Sequence, residues 1–576
     1  MKRLQLTLLS VLLVCAMLCS SVVAFVPAAK VSYTPGDVNS DGAINNRDLV
    51  RLQQYINEWD VEICRPAADV NGDGALNNRD LVRLQQYINE WDVTLQPGLC
   101  VQHADANEDT ICDICAESVI VYVDFYGIND LHGKFEDTDD QPGVDELTTY
   151  LKSAREANPN SLFLAAGDMW QGSSESNLTY GQILTDWMNE MDFTAMALGN
   201  HDYDWGEEPL KDNEEIAEFP FLAINVYDKA TDTRVPYCDA SVMVDCGAVQ
   251  IGVIGAIGDC YSSISSDRVE NVYFKVGGEL TALVKAESDR LRQDGADFIV
   301  YVLHDGYGKS TSSVQSVTGS AIDSYYDTAL SNGYVDLVFE GHTHQGYRLQ
   351  DEYGVYHLQN RGDNQGGISL AKVAINSVTL RSEVRQTELV STDSYASLED
   401  DPLVDDLLDK YADIIAKADM VVGNNRTKRN SSAICNKVAE LYYQLAEETW
   451  GDEYQIVLGG GYLNTRSPYN LAAGSVTYGD LQMLLPFDNQ IVLCSIQGRY
   501  LSSRFINSNN SDYFIYYGDY GNSVKKNIKQ NETYYVVVDS YTAQYSANRL
   551  TVVEEYDPTV FARDLLADYM LSGGWS

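Results

Sequence analysis

Ile120-Val-Tyr-Val-Asp-Phe-Tyr-Gly-Ile128 runs straight into Asn129-Asp130-Leu131-His132-Gly133, and the reading of that junction decides the fold. A short run rich in β-branched and aromatic residues predicts a buried strand, and the polar residues after it predict a loop at its carboxyl end. The pattern recurs outward from here. Apolar runs at residues 162–166, 193–198, 298–303 and 335–339 are followed by Gly167-Asp168, Gly199-Asn200-His201-Asp202, His304-Asp305-Gly306 and Gly341-His342-Thr343-His344. Five of the seven histidines fall in these motifs. Amphipathic stretches separate the runs, so residues 118–385 predict an α/β layered domain. Loops beyond the strand ends of such sheets gather in one place, which lets ligands distant in sequence converge. Histidine, aspartate and asparagine converging without thiolate predict two divalent transition metals, with zinc, manganese and iron all suited.

The chain has 576 residues and a formal charge of −46, which argues against general binding to nucleic acid. Lys2 and Arg3 before the apolar stretch at 4–18, with Val22-Val23-Ala24 after it, predict a signal peptide over residues 1–24 and hence a secreted protein. No membrane span is expected. Cys100, His103, Cys112 and Cys115, in a linker at 98–117, have the spacing of a structural zinc clip, with a disulfide as the alternative. Cys238 and Cys246 could pair across a hairpin.

Residues 45–61 recur letter for letter at 77–93, each copy preceded by an acidic loop. Oxygen donors stand at Asp37, Asn39, Asp41, Asn45 and Asp48, and again at Asp69, Asn71, Asp73, Asn77 and Asp80. Glycine follows the third donor of each loop, as calcium loops require for their bend, so two calcium ions are expected. Leu49, Leu52, Tyr55 and Ile56, like Leu81, Leu84, Tyr87 and Ile88, recur at helical spacing. Residues 35–95 resemble a dockerin, a small all-α calcium-binding module. The resemblance implies a cohesin scaffold partner facing Asn46, Arg47, Asn78 and Arg79.

The order Asp-x-His, Gly-Asp, Gly-Asn-His-Asp, His, Gly-His-x-His resembles the calcineurin-like metallophosphoesterases. The longer form Ile128-Asn-Asp-Leu-His-Gly133, with a C-terminal partner domain, is similar to the 5′-nucleotidase family. The resemblance implies a βαββ-type sandwich core plus a smaller α+β substrate-recognition domain. It implies one metal on Asp130, His132 and His344, a second on Asn200, His304 and His342, and Asp168 between them. It also implies attack by a metal-bridging hydroxide, with His201 facing the substrate and Asp204 orienting it. The family usually has glutamate at the position of Asp202. His357 matches no ligand position and is expected to be structural.

Residues 400–420 predict a connecting helix with Leu403, Leu407, Tyr411 and Ile414 on one face. Residues 421–576 resemble the substrate-recognition domain of that family through Gly459-Gly-Gly461, Thr477-Tyr-Gly-Asp480 and Pro486-Phe-Asp-Asn489. By that match Phe487 and Asn489 hold a nucleobase, and Tyr513 or Phe514 completes the clamp. The phosphate-gripping arginines fit less well: Leu463 sits near one expected position, leaving Arg466 and Arg429 as candidates. The reading that follows is an exported dimetal phosphohydrolase acting on nucleoside 5′-monophosphates or related nucleotides, tethered to a cohesin scaffold. The alternatives are a phosphodiesterase, cyclic-nucleotide or nucleotide-sugar hydrolase on the same fold, and a non-catalytic surface binding component.

Overall fold

A computed structural model describes residues 34–59, 61–72, 75–96, 105, 110, 118–136, 143–306, 334–351, 353–361, 367–466, 468–501, 514–518 and 528–576. The expected signal peptide and Asp73, Cys100, His103, Cys112, Cys115 and Tyr513 lie outside the described residues. The chain divides into two compact units, residues 1–121 with 375–381 and residues 122–374 with 382–576. Among the described residues no helix is long and apolar enough to cross a membrane.

In the first unit the repeat forms two helices, Asn46–Ile56 and Asn78–Ile88. Each starts on a capping box. Asn45 caps Arg47 N at 2.9 Å while Asp48 reaches back to Asn45 N at 2.9 Å, and Asn77 and Asp80 do the same in the second copy. Asp48 and Asp80 are fully buried, and their second oxygens accept from Asn39 N at 3.1 Å and Asn71 N at 3.3 Å. These carboxylates thus close both loops. Asp37 accepts from Asp41 N and Gly42 N, and Asp69 from Gly72 N. Leu52 and Leu84 meet Val38, Ala68 and Val70 in the small core, whereas Tyr87 is exposed. Asn46, Arg47, Asn78 and Arg79 are exposed.

The second unit begins with two six-stranded sheets. Their strands are β1 (Ile120–Ile128), β2 (Ser161–Ala166), β3 (Ala195–Ala197), β4 (Phe221–Leu222), β5 (Val226–Asp228), β6 (Ser241–Asp245), β7 (Gln250–Ile257), β8 (Val272–Phe274), β9 (Phe298–His304), β10 (Leu337–Glu340), β11 (Tyr347–Gln350), β12 (Tyr356–Gln359), β13 (Ile368–Asn376) and β14 (Ser382–Val390), with β5 and β8 forming a separate ribbon. One sheet has the order β14-β13-β1-β2-β3-β4 and the other β11-β12-β10-β9-β7-β6. Strands β1 to β4 are parallel, as are β7, β9, β10 and β12. Their continuous apolar character follows, because both faces are covered. The sheets stack: Phe125 lies on Phe298 with ring centroids 5.7 Å apart, and Gly127 faces Phe339. All five motif loops leave the carboxyl ends of parallel strands.

The helix Pro402–Ile415 is capped by Asp401 and buries Val404, Leu407 and Tyr411. Its buried face therefore differs from the expected one, since Leu403 is only half-buried and Ile414 is exposed. Both sets fit the helical repeat, and packing selects the face: Val404, Leu407 and Tyr411 enter the main core while Leu403 lies at its margin. Tyr411 hydroxyl anchors this face to Asp186 at 2.6 Å.

Beyond it lie β15 (Val421–Asn425), β16 (Ile456–Gly461), β17 (Gly474–Thr477), β18 (Ile491–Gln497), β19 (Ile515–Tyr517), β20 (Thr533–Asp539) and β21 (Leu550–Glu555). Five of them form a mixed sheet of order β19-β16-β20-β18-β21. The helix Ser431–Trp450 packs on it so closely that a Cβ at Gly459 would stand 2.4 Å from Tyr443 N. Cys238 and Cys246, which could have paired across a hairpin, are both free, buried thiols. Cys238 belongs to the main core, and Cys246 opens the β6–β7 turn, its N donating to Val249 O at 3.0 Å.

Candidate metal centre

Five of the seven expected ligands adopt left-handed backbone: Asp130 at φ 50°, His132 at 51°, Asp168 at 54°, His342 at 70° and His344 at 53°. Such geometry costs about 1–3 kcal/mol per non-glycine residue and survives only where the surroundings over-determine it. Here they do. Asp130 N donates to Gly167 O and His132 N to Asp168 O, both at 3.0 Å, tying the end of β1 to the loop after β2. His342 N donates to both oxygens of Asp130 at 3.0 Å, tying the second sheet to the first.

Donor atoms of Asp130, His132 and His344 lie within 4.8 Å of one another, and so do those of Asp168, His304 and His342. Asn200 Oδ1 joins the second group, 2.7 Å from His342 Nδ1 and 3.3 Å from His304 Nε2. Asp168 Oδ2 lies 3.1 Å from His304 Nε2 and 4.0 Å from His132 Nε2, so one carboxylate faces both groups. The tautomers are fixed from behind. His132 Nδ1 donates to Gln171 O at 3.0 Å and His304 Nδ1 to Ala166 O at 2.7 Å, leaving each Nε2 lone pair turned inward.

The charge of this site fits a pair of cations. Asp130 and Asp168 are almost wholly buried, and burying two carboxylates so close together is costly without positive charge between them. Without metal, His304 supplies it, whereas burial pushes His132 and His342 down to about 4. Burial pushes His304 down, but Asp168, Asp130 and the Ala166 carbonyl together outweigh this and raise it to about 10. The donors include no thiolate and combine nitrogen with oxygen, as suits a transition-metal pair. Two divalent cations would turn the ligand set from net −2 to net +2, a field that attracts a phosphate dianion.

Asp202 is buried, accepting Asp168 N at 3.0 Å, Gly199 N at 2.8 Å and Met169 N at 3.1 Å. It staples the loop after β2 to the loop after β3. The aspartate thus suffices where the resembling family has glutamate. Burial, followed by the nearby Asp168 charge, lifts its pKa to about 7.

His201 is held at three atoms. Its backbone N donates to Asp168 Oδ1 at 2.7 Å, Nδ1 lies 2.7 Å from Asp204 Oδ2, and Nε2 lies 3.1 Å from Arg466 Nη2. Arginine only donates, so Nε2 accepts here and the ring proton sits on Nδ1 towards Asp204. Phe487 stacks on the imidazole with centroids 5.7 Å apart and planes at 29°, and the Arg466 guanidinium lies 5.1 Å over Phe487. Arg466 therefore meets His201 although it comes three residues later than the expected position. Leu463 is instead buried in the C-terminal core, and the chain turns after it to bring Arg466 round.

Other candidates are placed differently. Arg429 bonds Asn425 Oδ1 at 3.2 Å and covers the Trp575 ring, contacts internal to its own domain. Phe514 is buried against Tyr462 in a core cluster, so it is not an exposed clamp partner. Its apolar ring is already consumed by packing. Asn489 is half-buried beside Phe487. His357 is buried between Glu340 at 3.2 Å and Asp351 at 3.3 Å, an ion-paired structural histidine.

Two contributors escaped the sequence reading. Arg563 is buried, pairs with Asp488 and donates to the carbonyls of Leu485, Pro486 and Phe487. It fixes the loop that carries Phe487. A lone arginine on the apolar face of Ala562–Leu571, beside Leu566 and Met570, was the available signal. Tyr541 lies in the short helix Ser540–Tyr545, whose first residue exchanges hydrogen bonds with Gln490, so this aromatic stands beside the Phe487 loop. Nothing in the spacing marked it.

Residues 35–89 match the dockerin type I domain, and residues 124–346 match the calcineurin-like phosphoesterases. An apyrase of Tabanus yao is 24% identical over 416 residues, 66% of this chain and 72% of its own length. A 5′-nucleotidase of Diplobatis ommata is 25% identical over 423 residues, 66% of this chain and 70% of its own. The solved 5′-nucleotidase precursor from Thermus thermophilus has a TM-score of 0.56 at 18% identity, covering 78% of this chain and 96% of that one, a likeness of fold.

Proposed function

We propose, for a chain that joins a type I dockerin domain to a calcineurin-like phosphoesterase domain and is a metal-dependent phosphoester hydrolase, that its substrates are nucleoside 5′-monophosphates or closely related nucleotides. The observation that carries this reading is the stack of Phe487 on His201 beneath Arg466. An aromatic face for a base and a guanidinium fork for a phosphate stand together at one imidazole. Base stacking on an aromatic ring is worth about 1–3 kcal/mol, and arginine grips phosphate bidentately.

A bound pair of divalent cations would polarise the phosphoryl oxygens and acidify water. The chain's own residues do the rest. Asp130, His132 and His344, then Asn200, His304 and His342, with Asp168 facing both groups, would hold the cations. Once phosphate has drawn Arg466 away, His201, whose pKa the Asp204 and Asp168 carboxylates raise against the effect of burial, carries a proton on Nε2 as well and donates it to charge growing on phosphoryl oxygen. An incoming phosphate competes with His201 Nε2 for Arg466, which then grips phosphate while the imidazole is released to act. Phe487, with Tyr541 from the neighbouring helix, provides the surface for the base. Arg563 keeps that surface in position.

Phosphate release from AMP by the Mn²⁺-loaded protein tests the reading. Turnover of AMP with slow cleavage of simple diesters is expected. Activity confined to diesters would transfer the site to a phosphodiesterase.

The dockerin domain implies a cohesin partner, and we propose that the protein is exported and held on a cohesin-bearing scaffold. Asp48 and Asp80 are buried at the base of both calcium loops, where their charge is compatible with folding only with a cation or several donors beside it. Excess EGTA is expected to abolish binding to a cohesin and to reduce helicity of the module. Binding that persists unchanged in EGTA rejects the calcium-dependent docking.

A further inference from the structure

Gln359 ends β12 and Asn360 follows it; both are buried, and neither is a ligand in the arrangement above. Gln359 Nε2 donates to the Gly341 carbonyl, and its Oε1 accepts from Thr343 Oγ1 at 2.5 Å. One amide therefore grips the chain on either side of His342. Asn360 N donates to Asn129 Oδ1 at 3.2 Å, while Asn129 Nδ2 donates to Asn360 O at 3.0 Å and to Asp130 Oδ2 at 2.7 Å. Asn360 is itself pinned, its Nδ2 donating to Ile368 O at 2.9 Å and Val390 O at 3.0 Å. With His342 N on Asp130, these bonds close a ring through Asp130, Asn129, Asn360, Gln359, Gly341 and His342.

The ring joins the end of β1 in one sheet to the loop after β10 in the other. It contains two of the left-handed ligands, Asp130 and His342, and through Thr343 it holds the residue next to a third, His344. Amides suit the task because they donate and accept at once and add no charge to a site already rich in it. Close approach is part of the device: a Cβ at Gly306 would stand 2.7 Å from Gln359 Nε2 and 2.7 Å from Gly341 O.

We propose that Gln359 and Asn360 are positioning residues that hold the ligand loops of both sheets in metal-binding geometry before any metal arrives. The inference rests on the two-metal reading of the site. The two arms reach different ligands, which gives the proposal a signature. Asn360 acts through Asn129 on Asp130, a ligand of one metal. Gln359 acts on the loop bearing both His342 and His344, ligands of different metals.

Calorimetric titration of the metal-free protein with Mn²⁺ alone, beside its thermal unfolding, tests this. Asn129→Ala, which removes the side chain that links the Asn360 backbone to Asp130, is expected to weaken one of two sites by about 10–100-fold and spare the other, whereas Gln359→Ala weakens both by about that factor. Thr343→Val, which removes one hydroxyl and threatens folding least, is expected to weaken binding by roughly 3- to 10-fold. Variants that bind both ions as the wild type does overturn the proposal. So do variants in which both sites fade only in proportion to a lower unfolding midpoint of the metal-free protein, since that is plain destabilisation. A wild type that binds no Mn²⁺ removes the two-metal reading itself, and the positioning role with it.

Discussion

His201→Ala is expected to lower the rate of phosphate release by about 10²–10³-fold while leaving bound metal unchanged. The separation of these outcomes follows from geometry. The hydrogen bond of His201 to the metal group is made by its backbone N, which donates to Asp168 Oδ1 at 2.7 Å and is kept by alanine, while its ring only packs edgewise on His132 with centroids 5.3 Å apart. The side chain alone reaches Asp204, Arg466 and Phe487. Removing it takes away a donor aimed at the phosphoryl group and nothing that anchors a cation. Rate measurement with elemental analysis of the same preparation checks both halves. Wild-type turnover would show that the imidazole does not act on the substrate. Loss of metal along with rate would make it a ligand instead.

Asp168→Ala should be more damaging and of a different kind, because metal content and activity fall together. Its carboxylate faces both ligand sets, at 3.1 Å from His304 Nε2 and 4.0 Å from His132 Nε2. Without it, His304 loses the main charge that raises its pKa, and neither cation position keeps its shared anion. Metal polarisation supplies several kcal/mol of transition-state stabilisation, so losing about 5 kcal/mol lowers the rate by roughly 10³–10⁴-fold. Elemental analysis after Mn²⁺ reconstitution gives the decisive number. A variant that still binds two metals per chain would mean that Asp168 does not hold them jointly, and the shared-carboxylate arrangement would have to be abandoned.

The sequence was most legible where chemistry is concentrated in short runs. The junction at Ile128-Asn129-Asp130 and its later counterparts marked strand ends and their loops, because buried parallel strands must be apolar and their ligands must be polar. The duplicated helices and their acidic loops were equally plain, since periodicity and capping are local. Arg466, Phe514 and Arg563 were harder. Which arginine reaches His201, and whether an aromatic ring is core or surface, depends on how the chain turns after Leu463 and on what packs against Tyr462. Neither is recorded in spacing.

Sequence alone thus determined the kinds of group present, the strand-and-loop rhythm that delivers them and the twofold dockerin module, for these follow from local polarity and backbone preference. Tertiary structure decided the rest. The left-handed backbone at five ligands, the amide ring through Gln359 and Asn360, and the meeting of Arg466 with His201 each require segments from separate strands or domains to press on one another. Such contacts stabilise conformations that no short stretch would hold alone.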